Sequence, residues 1–199
     1  MNIGIIHLNC RTNINDMTRV FVAIELPQRI KEQFHTVHEN LKESDAKLRF
    51  VNPDIAHITL KFIGEVNEDK LSEIISRLKK LSFTPFEMNI EKPELNSRKS
   101  PRIVWIPCSD RGESEKLFSD VEELLSHAGI PKEKRGFKAH ATLARIKKYA
   151  PSLKETLSRN YHEDFIFSPR TFQVSAVYLK KSTLTKEGPV YEDILEVKF

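Results

Sequence analysis

The chain has 199 residues, of which 39% are hydrophobic and 30% charged, so it is long enough to fold and too apolar to be disordered. No apolar stretch approaches the roughly 20 residues that a membrane-spanning helix needs, so we expect no association with a membrane. The net charge is only +4, and Cys10 and Cys108 have no metal-like spacing. Such cysteine usage is typical of a reducing compartment, and we expect a cytoplasmic protein without a disulfide.

The N-terminal segment does not look like part of the folded domain. Residues 1–16 contain a short apolar patch but lack the basic segment and the small-residue cleavage site of a signal peptide. Met17 is followed directly by a strand pattern. We therefore expect residues 1–16 to be a non-native or disordered extension and residues 17–199 to form a single bilobal domain.

In chain order, the first half of the chain mixes strands with amphipathic helices. Short apolar runs predict strands, and apolar residues at helical spacing predict helices. Pro27 ends the first strand and favours a helix start, while Pro93 indicates an edge or bend late in the last strand. The predicted elements are a strand at 19–26, a helix at 28–43, strands at 48–51 and 57–63, a helix at 67–81 and a strand at 86–95.

The second half has a similar order. Gly129 is a natural end for its first helix, and no glycine-rich nucleotide-binding loop is present. The order of elements predicts an α+β protein with mostly antiparallel sheets. The predicted elements are a strand at 102–107, a helix from 109 or 110 to about 127, a strand at 140–146, a helix at 151–160 and strands at 164–167, 171–180 and 190–198.

A short motif occurs once in each half, at the head of a predicted strand. The first copy reads His57-Ile58-Thr59-Leu60 and the second reads His140-Ala141-Thr142-Leu143. An internal duplication is the simplest account, and it predicts two similar lobes, each with a sheet flanked by helices, around a central cleft. Because alternate residues of a strand share a face, each lobe would present one imidazole and one hydroxyl to that cleft.

Two imidazoles and two hydroxyls suit phosphoryl transfer without a metal. A neutral histidine can take a proton from the nucleophile while a protonated one gives a proton to the leaving oxygen. Threonine hydroxyls can hold the phosphate oxygens. A lone copy of the motif would more often be a packed or surface histidine. Zinc would need further ligands at local spacing, and neither copy has them.

Basic residues surround the second copy of the motif. A basic run alone is usually a solvated face, but beside a histidine pair it favours a ligand that carries phosphate. Between residues 131 and 148 one acid, Glu133, accompanies seven basic residues: Lys132, Lys134, Arg135, Lys138, Arg145, Lys147 and Lys148.

The chain resembles a known family, the two-histidine phosphoesterases. Within that family it resembles the RNA 2′,3′-cyclic phosphodiesterases, also named 2′-5′ RNA ligases. The likeness covers nearly everything from Met17 onward, and the final segment looks like archaeal members. It departs from many members at Ala139, where they have proline. The matching segments are RVFVAIELP, HITLKFIGEV, RIVWI, KAHATLARIK and LKKSTLTKEGPVYE.

The resemblance implies a bilobal fold that hydrolyses a 2′,3′-cyclic phosphate at an RNA end to a 2′-phosphate, with no cofactor or metal. It implies His140 as the proton acceptor and His57 as the proton donor, although the sequence alone leaves that order open. Thr59 and Thr142 would bind the phosphate. Arg145 would contact substrate, although strict strand alternation turns it away from the cleft unless a bulge re-aims it. The implied partners are RNA ends or nucleoside cyclic phosphates, and we expect a monomer.

Other candidates are weaker. Aromatic side chains in strands are more often core than base-stacking, so we expect Phe62, Trp105 and Tyr178 to be packed. Lys181 and Ser182 match the family only in the final loop. The remaining histidines have no repeated partner and are expected at the surface: His7, His35, His38, His127 and His162.

The sequence is compatible with two functions of different classes. The first is a metal-independent phosphodiesterase acting on RNA ends, with 2′-5′ ligation as the same chemistry run with an RNA 5′-hydroxyl. The second is a protein that binds RNA ends in the cleft with little turnover. The presence of both histidines and both threonines favours the enzyme.

Overall fold

A computed structural model describes residues 17–161, 167 and 170–199. The expectations for residues 1–16 and for a strand at 164–166 lie outside these residues. Within the described residues four α-helices, α1 to α4, span Gln28–Lys42, Glu68–Leu78, Glu113–Ser126 and Pro151–Asn160. Ten strands, β1 to β10, span Thr18–Glu25, Lys47–Phe50, His57–Val66, Phe86–Ile90, Glu94–Leu95, Ile103–Ser109, His140–Lys148, Thr171–Val174, Ala176–Leu184 and Pro189–Lys198.

The strands form an antiparallel sheet whose order reflects the duplication. Its main path is β10-β9-β1-β3-β7-β6-β4-β8, with β2 beside the end of β7 and β5 beside β6. The order is symmetric about the junction between the motif strands β3 and β7. On one side β3 is next to β1, the first strand of the first half, and on the other side β7 is next to β6, the first strand of the second half. The helices obey the same symmetry, since α1 packs on α4 and α2 packs on α3. The expected duplicated α+β fold is confirmed, with the two expected sheets joined edge to edge.

The halves share one hydrophobic core. Side chains of α1, such as Phe34 and Leu41, and of α3, such as Val121 and Leu125, belong to the same buried cluster as the inner faces of the strands. Burying apolar side chains contributes about 1.5–3 kcal/mol each, so this cluster is the main source of stability. The helices lie on one side of the sheet as a result, and its other face is free to hold polar groups.

Local signals set most of the boundaries. Helix α1 follows Pro27 and α4 starts at Pro151, as proline at a helix start predicts. Helix α3 is followed by Gly129 at φ +73°, and the Ile130 amide donates to the carbonyl of Leu125, 3.1 Å away, which closes the helix end.

Two predicted strands are each divided into two. The strand expected at 86–95 becomes β4 and β5 around Pro93, which has no amide to donate to a sheet. The strand expected at 171–180 breaks at Ser175, where the chain leaves the β4 edge of the sheet and joins β1 and β10. The second of these two strands, β9, continues to Leu184, so Lys181 and Ser182 lie in β9 and not in a loop.

No helix among the described residues is long and apolar enough to cross a membrane.

Candidate active site

The two histidine motifs meet where the halves join. His57 and His140 are the first residues of β3 and β7, and the pair Ile58–Ala141 links these strands in antiparallel register. Ile58 and Ala141 are buried, whereas both histidines and both threonines of the motifs are half-buried. Extending this register by one residue in either direction puts each histidine opposite the threonine of the other motif. The four polar side chains therefore share one face of the sheet.

Each imidazole is held by the backbone just before it. The Nδ1–H of His57 donates to the carbonyl of Ile55 at 2.8 Å, and that of His140 donates to the carbonyl of Lys138 at 2.7 Å. A carbonyl oxygen only accepts, so Nδ1 carries the proton in both rings. Each Nε2 is then the atom available for acid–base chemistry. In both motifs the carbonyl belongs to the residue two positions before the histidine, so the duplication extends to this hydrogen bond.

In the first motif, the histidine and the threonine form a hydrogen bond with each other. The Thr59 hydroxyl lies 3.1 Å from His57 Nε2 and donates to it while the ring is neutral. The contact shows that an oxygen atom can lie within hydrogen-bond distance of His57 Nε2.

Aromatic side chains pack against both imidazoles. Phe21 lies 4.8 Å and Tyr191 lies 5.3 Å from the His57 ring, centroid to centroid, and Trp105 lies 4.4 Å from the His140 ring. The Trp105 indole also donates to Glu94 at 3.1 Å, which fixes its ring. These contacts restrict rotation of the histidines and remove water from one side of each ring.

Burial lowers the pKa of both histidines. For His57, desolvation is the largest cause; the Ile55 carbonyl opposes it, and the ammonium groups of Lys180 and Lys31 lower the pKa further. For His140, desolvation is again the largest cause, opposed by its own carbonyl partner. Since an ordinary histidine has a pKa of about 6.5, both rings are mainly neutral at pH 7 before a ligand binds.

A buried lysine lies beside the first motif, and sequence reasoning missed it. Lys180 of β9 is 6% exposed and its ammonium is paired with the carboxylates of Glu25 and Asp193. Glu25 is directly opposite His57 in the β1–β3 ladder. The only sequence signal was the match of the final segment to the family, which did not separate Lys180 from its neighbours.

Each motif strand contains a bulge just after its threonine. The bulge reverses which face of the sheet the later residues of that strand point to. In β3 Leu60 and Lys61 are both buried, and in β7 Leu143 and Ala144 are both buried, at register shifts in the ladders with β1 and β6. The alternation resumes one residue later. The next residue in each strand therefore returns to the histidine face.

That shift corrects two expectations from strict alternation. Arg145 is exposed and lies on the histidine face, where its charge also acts on Tyr191. Phe62 was expected in the core and is 67% exposed, at the position in the first motif that corresponds to Arg145. Trp105 and Tyr178 are only half-buried, and both lie on the histidine face of the sheet. Trp105 is opposite Thr142, and Tyr178 is opposite Ala23, which is itself opposite Thr59.

A protein-family model decides which family this geometry represents. The model of the LigT-like phosphoesterases matches the chain twice, over residues 24–105 and 106–191, and each match contains one copy of the motif. The chain belongs to the LigT-like phosphoesterase family.

Relatives of this phosphoesterase cover almost its whole length. A protein of Archaeoglobus fulgidus named RNA 2′,3′-cyclic phosphodiesterase is 34% identical over 88% of this chain and 97% of its own. A protein of Methanocaldococcus jannaschii with the same name is 35% identical over 89% and 99%. One from Thermotoga maritima, also with that name, is 31% identical over 91% and 95%.

Solved structures share the fold. E. coli LigT in complex with 3′-AMP superimposes with a TM-score of 0.73 at 20% identity, covering 93% of this chain and 99% of that one. The Thermus thermophilus protein TT0787 gives a TM-score of 0.67 at 26% identity, covering 90% and 97%.

The other described histidines of this LigT-like phosphoesterase lie outside the two motifs, on α1 and just after α3. His35 and His127 are exposed, as expected. His38 was expected at the surface and is buried, with its ring 4.6 Å from Phe50, because α1 turns that side of the helix toward β2. Desolvation lowers its pKa to about 4. His7 and His162 lie outside the described residues.

Within the described part of the chain, no three residues among histidine, cysteine, aspartate and glutamate are grouped so that they could hold a metal ion. Cys108 is a free thiol whose pKa is raised by burial.

Proposed function

We propose that this chain hydrolyses RNA 2′,3′-cyclic phosphate ends to 2′-phosphates by acid–base catalysis with two histidines. The observation that carries the proposal is the pair of imidazoles whose Nδ1 atoms are both fixed by backbone carbonyls, on one face with both threonines. The relatives named RNA 2′,3′-cyclic phosphodiesterase support the same substrate class. Since both motifs belong to one chain, one chain suffices for the reaction, and we propose a cytoplasmic monomer.

In this mechanism His140 Nε2 accepts a proton from water as the water oxygen forms a bond to phosphorus. The bond from phosphorus to the 3′ oxygen breaks, and His57 Nε2 gives its proton to that oxygen. The product keeps the phosphate on the 2′ oxygen. Thr59, Thr142 and Arg145 hold the non-bridging oxygens, where positive charge and hydrogen-bond donors stabilise the transition state.

His57 becomes protonated when the substrate binds. Its ring is mainly neutral in the free protein, because burial and the nearby ammonium groups lower its pKa. A phosphate anion placed between the rings favours the charged imidazole and raises that pKa again. Substrate binding thus creates the protonated donor and displaces the Thr59 hydroxyl from Nε2 toward the phosphate.

The same groups also account for ligation. If an RNA 5′-hydroxyl takes the place of water, His140 accepts its proton and His57 again protonates the 3′ oxygen. The product is a 2′-5′ linkage, and the reverse reaction uses the same two histidines with their roles exchanged.

A direct assay tests the proposal. Incubating the protein in EDTA with an oligonucleotide that ends in a 2′,3′-cyclic phosphate is expected to open the ring and leave a 2′-phosphate, identified by mass spectrometry and by resistance to a 3′-specific phosphatase. An intact ring, with the oligonucleotide still bound, would instead support the RNA-end-binding protein. Turnover that disappears in EDTA and returns with added metal would contradict metal-independent chemistry.

A pH profile tests the electrostatics. Since both histidines have lowered pKa values in the free protein, kcat/KM is expected to be bell-shaped with its maximum below about pH 6.5. The donor is deprotonated on the alkaline side, and bound phosphate raises its pKa, so the alkaline limb of kcat should lie at higher pH than that of kcat/KM. Steady-state rates between pH 4 and 9 at constant ionic strength measure both limbs. A flat profile, or coincident alkaline limbs, would contradict this account.

A further inference from the structure

The ladder between β2 and β7 sets like charges against each other. Arg49 is directly opposite Arg145, and Lys47 is directly opposite Lys148, in an antiparallel pairing. All four side chains are exposed. Like charges directly opposite each other destabilise a sheet, so two such pairs in one short ladder weaken the fold locally. In the described part of the chain, no acidic side chain forms an ion pair with any of them.

This basic ladder continues from the active site. Arg145 follows Thr142 on the histidine face of β7, and Lys148 lies further along the same strand. At about 3.3 Å per residue, the ladder reaches roughly 26 Å from His140. Arg49 extends toward the hairpin of the other half, with its Nη2 3.8 Å from the position a Cβ at Gly188 would take. The ladder therefore leads from the histidine end of β7 toward the other end of the strand.

An exposed aromatic side chain stands at the far end of the ladder. Tyr149 follows Lys148 directly and is 42% exposed. It borders a cavity of about 500 Å³ beside α4, where Lys92, Arg98 and Lys154 lie together with one acidic residue, Glu94. Cationic groups along a path with an aromatic ring at its end are the combination that single-stranded nucleic acids use, with phosphates on the charges and a base on the ring.

We infer that the basic ladder of Lys47, Arg49, Arg145 and Lys148 binds the RNA strand upstream of the cyclic phosphate. The inference rests on the proposed function and adds that the substrate is a polynucleotide of several residues. A 2′,3′-cyclic phosphate occurs only at a 3′ end, so the rest of the RNA must leave the site on its 5′ side. Lys47 and Lys148 are too far from His140 to touch the reacting nucleotide, and they bind phosphates further along the strand.

The test compares two substrates with one reacting group. The variant Lys47→Ala/Lys148→Ala keeps both arginines and both motifs. Its kcat/KM is measured on adenosine 2′,3′-cyclic phosphate and on a hexanucleotide with the same end. For a single strand, each phosphate contact contributes about −0.7 to the slope of log K against log salt, so two contacts strengthen binding about 25-fold at 0.1 M relative to 1 M salt. We expect about that loss on the hexanucleotide and less than a twofold change on the mononucleotide.

A matched control removes the same charge elsewhere. Lys79 and Lys80 are exposed just after α2, and Lys79→Ala/Lys80→Ala should leave both substrates within twofold of the wild type. Equal losses on the two substrates, or an equal loss in the control, would overturn the inference. Anisotropy with a labelled hexanucleotide ending in a 3′-phosphate separates it from the proposed function. If the protein is inactive but the ladder variant alone binds the hexanucleotide more weakly, the proposed function is wrong and RNA binding by the ladder is supported. If the ladder variant binds the hexanucleotide as tightly as the wild type, the ladder does not bind RNA.

Discussion

Replacing His140 with alanine is expected to lower kcat for opening a 2′,3′-cyclic phosphate by about 10²–10⁴-fold, and His57→Ala is expected to cause a similar loss. Each ring carries one proton transfer through its Nε2, since its Nδ1 is committed to a backbone carbonyl. Because both side chains are only half-buried at the heads of their strands, the variants should fold. Single-turnover rates measure the chemical step, and thermal unfolding checks the fold.

The two variants should also differ in their pH profiles. Without the acceptor at His140, the acidic limb of the kcat profile should disappear, and without the donor at His57 the alkaline limb should disappear. The double variant should be little slower than either single one, because the two transfers belong to one step. His35→Ala, on the exposed side of α1, is the control and should match the wild type. A histidine variant with near wild-type kcat, or limbs lost in the opposite order, would contradict the assigned roles.

Local patterns in the sequence were sufficient for the parts of the fold that depend on one strand or helix at a time. The repeated histidine and threonine spacing puts polar groups on one face of any strand, so the make-up of the candidate site followed from two four-residue segments. Proline and glycine act on their own backbone, which is why the starts of α1 and α4 and the end of α3 were predictable.

The features that sequence reasoning missed depend on two strands at once. A bulge forms where the registers of neighbouring strands disagree, and nothing local to Leu60 or Leu143 specifies that disagreement. Strict alternation therefore misplaced Phe62 and Arg145. Lys180 was missed for the same reason, since its burial depends on Glu25 and Asp193, which come from two other strands.

Lys61 is the clearest case of a residue whose role comes from distant parts of the chain. It stands in the first motif where Ala144 stands in the second, and it is 3% exposed. Its Nζ lies 2.7 Å from Glu122 Oε1 of α3 and donates to the carbonyl of Pro131 at 2.6 Å. Pro131 begins the basic loop that leads to His140. A buried ammonium in β3 therefore anchors the loop that delivers the second histidine.

Lys61→Met is expected to destabilise the protein by about 3–5 kcal/mol, because it leaves the Glu122 carboxylate buried without its cation. Chemical denaturation measures this loss. Lys61→Met/Glu122→Leu removes both charges and should recover much of the stability, while Arg19→Ala, which breaks the exposed Arg19–Glu65 pair, should cost less than about 1 kcal/mol. A single Lys61 variant as stable as the wild type, or a double variant no more stable than the single one, would show that the Lys61–Glu122 pair does not stabilise the fold. The double variant lacks both the Lys61 contact to the Pro131 carbonyl and the bond from the Glu133 amide to Glu122. Loss of kcat in the folded double variant would therefore show that these contacts anchor the loop separately from their effect on stability.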